Sequence, residues 1–236
     1  MIIVNFIKRV ILGYKATSES YVQYLRKKGV SVGQNVKIFR PFRTTIDFQN
    51  PHLLTIGNDV QITGPVTILT HDYSWCVLKR KYGYIYGNQS KTVIGNNVFI
   101  GWGATILGGT KIGDNVIIGA NSVVSGNIDS NSVYAGNPAK KLLTLSEFRK
   151  KREKAQILEA KESVLEYKQR FGVLPPESEM DEYFFLFCRK DNLNEFKKQM
   201  KLMRNYNESK EILFNHKPMF KDYKAFLKYC LENSSN

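Results

Sequence analysis

The residue best suited to acid–base chemistry in this sequence is His71, one of three histidines. An imidazole titrates near neutral pH, so it can take a proton from a hydroxyl group while that oxygen attacks an electrophile. Asp72 follows directly, and it would either orient the ring or bind the substrate. Because neighbouring side chains of an extended segment point to opposite sides, we expect substrate contact. His52 and His216 lie outside any motif, and we expect them to be structural or at the surface.

Aromatic side chains crowd the segment that follows His71. Their faces would stack on sugar rings, which favours a carbohydrate substrate. For any one of them taken alone, packing against the rest of the fold is the better explanation. The substrate-binding residues expected here are Asp72, Tyr73, Trp75 and Tyr84.

The elements that must position these side chains follow a six-residue period. Aliphatic residues recur at Ile94, Ile100, Ile106, Ile112, Ile118 and Val124. This spacing fits neither a helix nor a simple strand alternation. It predicts a solenoid of triangular cross-section, in which each unit gives one short strand and one corner and the aliphatic residues stack inward. Glycine or asparagine follows where the corner needs a permissive backbone.

The period is interrupted just before His71. An earlier block with the same pattern contains Ile56, which lies 38 residues before Ile94 and therefore out of phase with it. A loop insertion over residues 70–92 accounts for the difference. A long loop that leaves a regular solenoid is expected to be functional.

These repeats resemble those of the hexapeptide-repeat acyltransferases. The run Thr70–Tyr73 resembles the active-site segment of that family, and the run Val133–Lys140, VYAGNPAK, resembles its closing signature. Within the family the likeness is to galactoside, maltose and antibiotic acetyltransferases and to O-acetyltransferases of bacterial surface polysaccharides. It covers roughly residues 30–142 and implies a mainly β fold, a left-handed parallel β-helix, whose hand comes from the family alone.

The resemblance also implies a reaction and an assembly. Acetyl-CoA would be the co-substrate, no metal would be needed, His71 would be the general base, and active sites would lie at the interfaces of a homotrimer. By position, the expected coenzyme-binding residues are Phe99, Trp102, Gly103, Ala120, Asn121, Ser122, Pro138 and Lys140. Three positions depart from the family pattern. Phe99 stands where Trp is common, Trp102 where a small residue is common, and Gly126 where a Lys is common.

Metal and disulfide chemistry find little support in the sequence. A zinc enzyme built on such a solenoid would need three histidines from neighbouring coils, but the repeat region has only His52 and His71. The three cysteines are far apart and form no CxxC pair, which argues against a zinc site and against a disulfide framework.

The formal net charge of +14 favours an anionic partner, such as a nucleotide or an anionic lipid surface. No nucleic-acid-binding motif is present, so we expect no nucleic acid partner. No apolar run is long enough to span a bilayer, and the first residues do not read as a signal peptide. We therefore expect a cytoplasmic protein, with peripheral association at the inner face of the membrane as an open option.

Three regions are expected. Residues 1–29 form an N-terminal helical segment, which we expect to cap the solenoid rather than to lie on a membrane. Residues 30–142 form the β-helix with its insertion at 70–92. Residues 143–236 form an α-helical extension, with helices predicted over 147–170, 181–205 and 208–231 and a cap at Ser146.

The leading hypothesis for function is O-acetylation of a sugar hydroxyl during synthesis of a bacterial surface polysaccharide. Two alternatives remain open within the same chemistry, N-acetylation of a nucleotide-linked amino sugar and acetylation of an antibiotic. A third alternative is a solenoid scaffold without catalysis. A scaffold has no need of His71, of Lys140 or of the inserted loop, which weighs against it.

Overall fold

The structure, a computed structural model, describes residues 11–190 and 193–232. The chain divides into two compact units, Met1–Phe148 and Arg149–Asn236. The first unit carries all the residues expected to take part in the chemistry. Among the described residues, no helix is long and apolar enough to cross a membrane.

The first unit is built on three parallel sheets whose strands come from successive coils of the chain. The first sheet contains β1 (Ser31–Val32), β4 (Leu54–Ile56), β9 (Thr92–Ile94), β12 (Lys111–Ile112) and β15 (Asn127–Ile128). The second contains β2 (Lys37–Ile38), β5 (Gln61–Ile62), β10 (Val98–Ile100), β13 (Val116–Ile118) and β16 (Ser132–Gly136), with β17 (Ala139–Thr144) antiparallel at its edge. The third contains β3 (Thr45–Ile46), β6 (Thr67–Ile68), β11 (Thr105–Ile106) and β14 (Val123–Val124). One strand per sheet in each coil gives the three-sided solenoid that the six-residue period predicts.

Inward aliphatic side chains form one column through the solenoid. The six repeat positions expected to point inward are all buried, with at most 3% of each residue exposed: Ile94, Ile100, Ile106, Ile112, Ile118 and Val124. Neighbouring coils place equivalent residues in register, so Ile68, Ile106 and Val124 stack along the third sheet. Burial of each such side chain contributes about 1.5–3 kcal/mol, which makes this column the main stabilising feature of the unit.

Asparagine provides the unusual backbone at the corner between the first and second sheets. Asn97, Asn115 and Asn131 have φ values of 52°, 56° and 57°, in the left-handed region that asparagine tolerates. Their side chains form a ladder, with Asn97 Nδ2 donating to Asn115 Oδ1 over 2.9 Å and Asn115 Nδ2 donating to Asn131 Oδ1 over 3.0 Å. The repeat glycines act differently, because a Cβ at Gly95 would lie 2.6 Å from the carbonyl oxygen of Gly113. Close stacking of the coils, rather than φ, requires them.

The predicted insertion is present and has structure of its own. Paired residues lie 18 positions apart for Ile94 and Ile112 but 38 apart for Ile56 and Ile94, so the chain between these coils is 20 residues longer. The insertion begins with β7 (His71–Asp72), continues into helix α2 (Trp75–Tyr82) and returns as β8 (Asn88–Gln89). Strands β7 and β8 pair antiparallel, so the insertion leaves and rejoins the solenoid as a hairpin.

Helix α1 (Ser18–Lys27) packs on the first coil. Its Tyr21 and Leu25 are fully buried, and the backbone N–H of Ile46 donates to the Tyr21 hydroxyl over 3.0 Å. The predicted helix over the N-terminal segment is interrupted by a 3-10 turn at Gly13–Lys15, and residues 2–10 of that prediction lie outside the described residues. In the described part, the helix covers the end of the aliphatic column, as expected of a cap.

The helical extension departs from the sequence prediction after its first helix. Its helices are α3 (Leu145–Phe171), α4 (Lys197–Lys201), α5 (Tyr206–Asn215) and α6 (Tyr223–Glu232). The predicted helix over 181–205 was wrong, since among the described residues of that stretch only Lys197–Lys201 is α-helical, and a 3-10 helix at Phe184–Leu186 buries Phe184 and Leu186. The predicted helix over 208–231 is divided in two around Pro218, because proline lacks the N–H that a helix interior needs. The cap of α3 is Thr144, which exchanges hydrogen bonds with Glu147, rather than Ser146.

Candidate active site

His71 lies where the insertion leaves the solenoid, at the corner between the third and first sheets. It comes three residues after β6 and begins the hairpin strand β7. The next coil passes directly against its backbone, because a Cβ at Gly108 would lie 3.1 Å from the carbonyl carbon of Thr70 and 3.3 Å from the nitrogen of His71. Glycine at 108 therefore allows the coil to support the histidine closely.

The side chain of His71 is paired with Asp47, which belongs to the preceding coil. His71 Nδ1 and Asp47 Oδ2 are 2.6 Å apart, and the two side chains are only 12% and 5% exposed. Asp47 Oδ2 also accepts hydrogen bonds from the backbone N–H and the hydroxyl of Thr70. Asp47 Oδ1 accepts the N–H of Gln49 over 2.9 Å. The carboxylate is thus fixed from three directions and in turn fixes the ring.

These contacts determine which ring nitrogen is available for chemistry. Burial, the largest single influence, acts to raise the pKa of Asp47, but hydrogen bonds from Thr70, the Gln49 N–H and His71 together hold this pKa below its ordinary value. An ionised carboxylate only accepts hydrogen bonds, so the nitrogen of His71 that faces it carries the proton. In the neutral ring Nε2 then keeps the free lone pair, and Nε2 is the atom able to accept a proton.

Sequence reasoning missed Asp47. It lies 24 residues before His71 and in another coil, so no local motif joins them. A signal was present in the repeat itself. The strand register places Asp47 level with Leu69 and Leu107 of the next two coils. Leucine stands at this position in those two coils and Ser125 in the fourth, so the carboxylate of Asp47 marks a departure from the repeat.

Asp72 does not pair with His71, in agreement with the expected divergence of neighbouring side chains. Its Oδ1 accepts the backbone N–H of Ser74 over 2.9 Å, and its Oδ2 accepts the side-chain amide of Asn88. Hydrogen bonds to Ser74 and Asn88 lower the pKa of this exposed carboxyl group. Asp72 therefore ties the two strands of the hairpin together, and its contact with a substrate stays a prediction.

Tyr73 lies beside His71, and Trp75 lies beside Tyr73. The ring centroid of Tyr73 is 5.0 Å from that of His71, and the ring of Trp75 lies 5.8 Å from Tyr73. The Tyr73 hydroxyl donates to Gln49 Oε1 over 3.0 Å, which holds it near the Asp47 corner. Tyr84 lies further along the insertion, where it stacks on Tyr86 with centroids 5.7 Å apart.

The residues expected to bind coenzyme lie elsewhere on the solenoid. Trp102, Gly103, Ala120, Asn121 and Ser122 occupy the corner between the second and third sheets. Phe99 is on β10 of the second sheet and lines a shallow hollow of about 240 Å³. Pro138 and Lys140 are exposed in the β16–β17 hairpin. One face of the triangle, roughly 15–20 Å at 3.3 Å per residue, separates the Trp102 corner from the His71 corner. A single chain does not bring the two groups together.

Local structure at the Trp102 corner gives two of these residues structural roles. Gly103 has a φ of 76°, in the left-handed region that favours glycine. The Ser122 hydroxyl is buried, donates to the carbonyl of Gly119 over 2.8 Å and accepts the N–H of Gly136 over 3.1 Å. Any contact of Ser122 with a ligand would therefore use its backbone.

Arg40 is a further residue of this corner that sequence reasoning did not select. Its guanidinium lies 5.4 Å from the centre of the exposed Trp102 ring. The intervening coil carries Gly64 at this corner, so no side chain separates the two. A cation above the ring of Trp102 makes this corner both aromatic and positively charged.

Comparison with known proteins shows the family to which this chain belongs. The family described as bacterial transferase hexapeptide (six repeats) matches residues 91–126. Protein CapG of Staphylococcus aureus is 41% identical over 127 residues, which cover 54% of this chain and 73% of CapG. The chain belongs to the hexapeptide-repeat acyltransferases.

Two other relatives match over shorter spans. A putative lipopolysaccharide biosynthesis O-acetyltransferase, WbbJ of Escherichia coli, is 40% identical over 37% of this chain and 48% of its own length. Galactoside O-acetyltransferase of Escherichia coli is 37% identical over 47% of this chain and 54% of its own. The chain thus spans about half the length of these two relatives.

Two solved acetyltransferase structures align with part of this chain. One from Vibrio cholerae covers 60% of this chain and 88% of its own, at 19% identity and a TM-score of 0.45. A galactoside acetyltransferase in complex with coenzyme A covers 51% of this chain and 57% of its own, at 30% identity and a TM-score of 0.36.

Proposed function

We propose that this hexapeptide-repeat acyltransferase transfers an acetyl group from acetyl-CoA to a sugar hydroxyl, with His71 as the general base. The observation that carries the proposal is the Asp47–His71 pair at the base of the inserted hairpin. A buried carboxylate 2.6 Å from one ring nitrogen leaves the other nitrogen free to accept a proton.

The chemistry follows from that pair. His71 Nε2 accepts the proton of the acceptor hydroxyl as its oxygen attacks the thioester carbon. The ring becomes positively charged, and the Asp47 carboxylate beside Nδ1 stabilises that charge. When the carbon–sulfur bond breaks, His71 returns the proton to the departing thiolate, which leaves an acetyl ester and free CoA. These steps need no metal and no covalent acyl-enzyme.

The acetyl-CoA site is proposed at the corner that carries Trp102, Gly103, Ala120 and Asn121. Glycine and alanine let an extended ligand approach the backbone closely, and the exposed ammonium of Lys140 supplies a charge for its phosphates. This corner and His71 are on different edges of one solenoid, so a complete site requires two copies. We therefore propose a left-handed solenoid assembled as a homotrimer, as the family resemblance implies.

The acceptor site is proposed on the insertion. Tyr73 offers an aromatic face next to His71, and such a face suits the apolar side of a sugar ring. Asp72 and Tyr84 are proposed to contact the acceptor hydroxyls. The names of WbbJ and of galactoside O-acetyltransferase indicate sugars as acceptors in relatives, which supports a role in bacterial surface polysaccharide synthesis here.

The test is thiol release from acetyl-CoA with a panel of sugars, nucleotide sugars and oligosaccharides. Replacement of His71 by alanine should lower acceptor-dependent release by about 10²-fold or more, because the attacking hydroxyl loses its base. His52→Ala is the matched control, since His52 is an exposed histidine in a 3-10 turn of the same solenoid. Equal rates for the wild type and His71→Ala would overturn the assignment of the base.

A further inference from the structure

The insertion presents an unusually exposed and basic segment, here called the arm and comprising residues 73–91. Residues 76–91 are all exposed. The arm contains Lys79, Arg80, Lys81 and Lys91 and not one acidic residue. Seven large apolar or aromatic side chains in it are 38–66% exposed: Tyr73, Val77, Leu78, Tyr82, Tyr84, Ile85 and Tyr86. Exposed apolar surface of this extent, beside cations, marks an interaction surface.

Helix α2 places three apolar or aromatic side chains of the arm on one face. Trp75, Leu78 and Tyr82 are three and seven positions apart and therefore share one face of the helix. The consecutive cations Lys79, Arg80 and Lys81 occupy the rest of the second turn, and Lys81 Nζ lies 5.1 Å from the centre of the Tyr82 ring. Long cationic side chains beside aromatic rings can reach outward while their stems cover apolar surface.

The positive charge of the arm indicates which kind of surface it can bind. A second copy of this chain would present a net positive charge, since residues 1–140 hold 15 Lys and Arg against 6 Asp and Glu. A surface of anionic lipid headgroups has the opposite charge along its whole extent, and it attracts clustered Lys and Arg. Tyrosine and tryptophan are the side chains that favour the boundary between headgroups and acyl chains. The composition of the arm matches both requirements.

We propose that the arm docks on an anionic lipid surface, with Trp75, Leu78 and Tyr82 at the headgroup boundary and Lys79–Lys81 on the headgroups. His71 is in the hairpin from which the arm extends, so docking holds the histidine close to the lipid surface. Docking itself is independent of the proposed function. Docking also implies that the acceptor glycan is carried on a lipid, and this implication rests on the proposed function.

The first test measures binding of the full chain to vesicles by flotation. Vesicles of phosphatidylcholine are compared with vesicles containing about a third phosphatidylglycerol. We expect at least tenfold tighter binding to the anionic vesicles, and at least a tenfold loss of that binding in a Lys79→Glu, Arg80→Glu, Lys81→Glu variant. The matched control reverses Lys150, Lys151 and Lys154, three exposed cations of α3, and should change binding less than twofold. Equal losses in both variants would mean attraction by net charge alone and would overturn the proposal.

The second test follows Trp75 itself. Trp75 and Trp102 are the two tryptophans of the chain, so Trp102→Phe leaves Trp75 as the single reporter. Its emission should shift to shorter wavelength with anionic vesicles, and brominated lipids should quench it. Emission that vesicles leave unchanged would contradict docking through the arm. A change in the molecular mass of the protein in solution, caused by the Lys79→Glu, Arg80→Glu, Lys81→Glu substitutions, would also contradict the proposal. It would show that a second copy of the chain covers the arm.

Transfer to a soluble sugar, measured without vesicles, separates the two proposals. Transfer that persists while vesicle binding fails would overturn the docking alone. Vesicle binding that persists in a protein unable to transfer acetyl would overturn the proposed function and leave the docking supported.

Discussion

Asp47 orients the imidazole of His71 through a hydrogen bond to Nδ1. This pair is the most specific chemical feature of the described residues. The carboxylate is buried and receives hydrogen bonds from Thr70 and Gln49, so it cannot follow the ring if the ring turns. A histidine that merely ends a strand would need no such support. The pair therefore makes Asp47 a positioning residue whose effect on catalysis acts through His71.

Replacement of Asp47 by asparagine tests that role. An amide can donate as well as accept, so the preferred protonation of His71 Nδ1 is lost and Nε2 is less often free. We expect the kcat of acetyl transfer to fall by about 10²-fold or more while the KM for the acceptor changes little. The pH profile should shift as well, because the imidazolium loses its counter-charge. Asp129→Asn, which removes an exposed carboxylate paired with Lys141, serves as control and should leave kcat unchanged. A D47N variant with the kcat and pH profile of the wild type would contradict the positioning role.

The same carboxylate should make stability depend on pH in acid. The pKa of Asp47 in the folded protein lies below its ordinary value of 3.8. The ionised group therefore contributes stability that is fully present above the unfolded-state pKa and is lost as the pH falls through the lowered folded-state pKa. The wild type should be more stable than Asp47→Asn by about 1–3 kcal/mol at neutral pH. This difference in the free energy of unfolding should shrink below pH 4, as measured by urea denaturation at several pH values.

At the scale of elements, the solenoid serves as a rigid base and the insertion as the part that departs from it. Coils on both sides support the hairpin, with Asp47 in one coil and Gly108 in the other. Close contact of Gly108 with the backbone of Thr70 and His71 leaves little freedom for the start of β7. The position of the histidine is thus determined by the stacking of coils as much as by its own strand.

Gly108→Ala tests this support. The added Cβ would sit 3.1 Å from the Thr70 carbonyl carbon, so the backbone at His71 must move by a few tenths of an ångström. Since catalysis depends on placement more steeply than stability does, we expect roughly a tenfold loss of kcat with less than about 1 kcal/mol of destabilisation. Gly87→Ala is the control, because a Cβ there meets nothing within 4 Å. Equal kcat values in the two variants would show that the coil does not position His71.

At the scale of the whole molecule, the His71 corner and the Trp102 corner of the solenoid are separated, and this separation determines how a complete site can form. His71 and its aromatic neighbours lie at one edge of the triangular solenoid, and Trp102, Ala120 and Asn121 lie at another. A reaction that uses both groups needs two chains side by side. Closed rotational symmetry would give every copy the same pair of neighbours, as in a trimer.

Mixing of two inactive variants tests the shared site. His71→Ala removes the base, and Ala120→Phe fills the exposed corner proposed for acetyl-CoA. Each variant alone should be nearly inactive. In a trimer reassembled from equal amounts, about a quarter of the interfaces would combine an intact His71 from one copy with an intact corner from its neighbour. Recovery of roughly that fraction of wild-type thiol release would support the shared site, and no recovery in confirmed mixed trimers would contradict it.

The sequence by itself determined the solenoid, because a six-residue repeat with buried aliphatic positions is a local pattern that each coil restates. It also located the insertion and His71, since both interrupt that pattern. Only the tertiary structure decided which carboxylate faces the histidine, because Asp47 reaches it through the stacking of two coils rather than through sequence proximity. The helical extension shows the same limit, since packing of Phe184 and its neighbours replaced the helix that local propensity predicted. Contacts between residues distant in the chain depend on how the coils and helices pack, and no single segment encodes them.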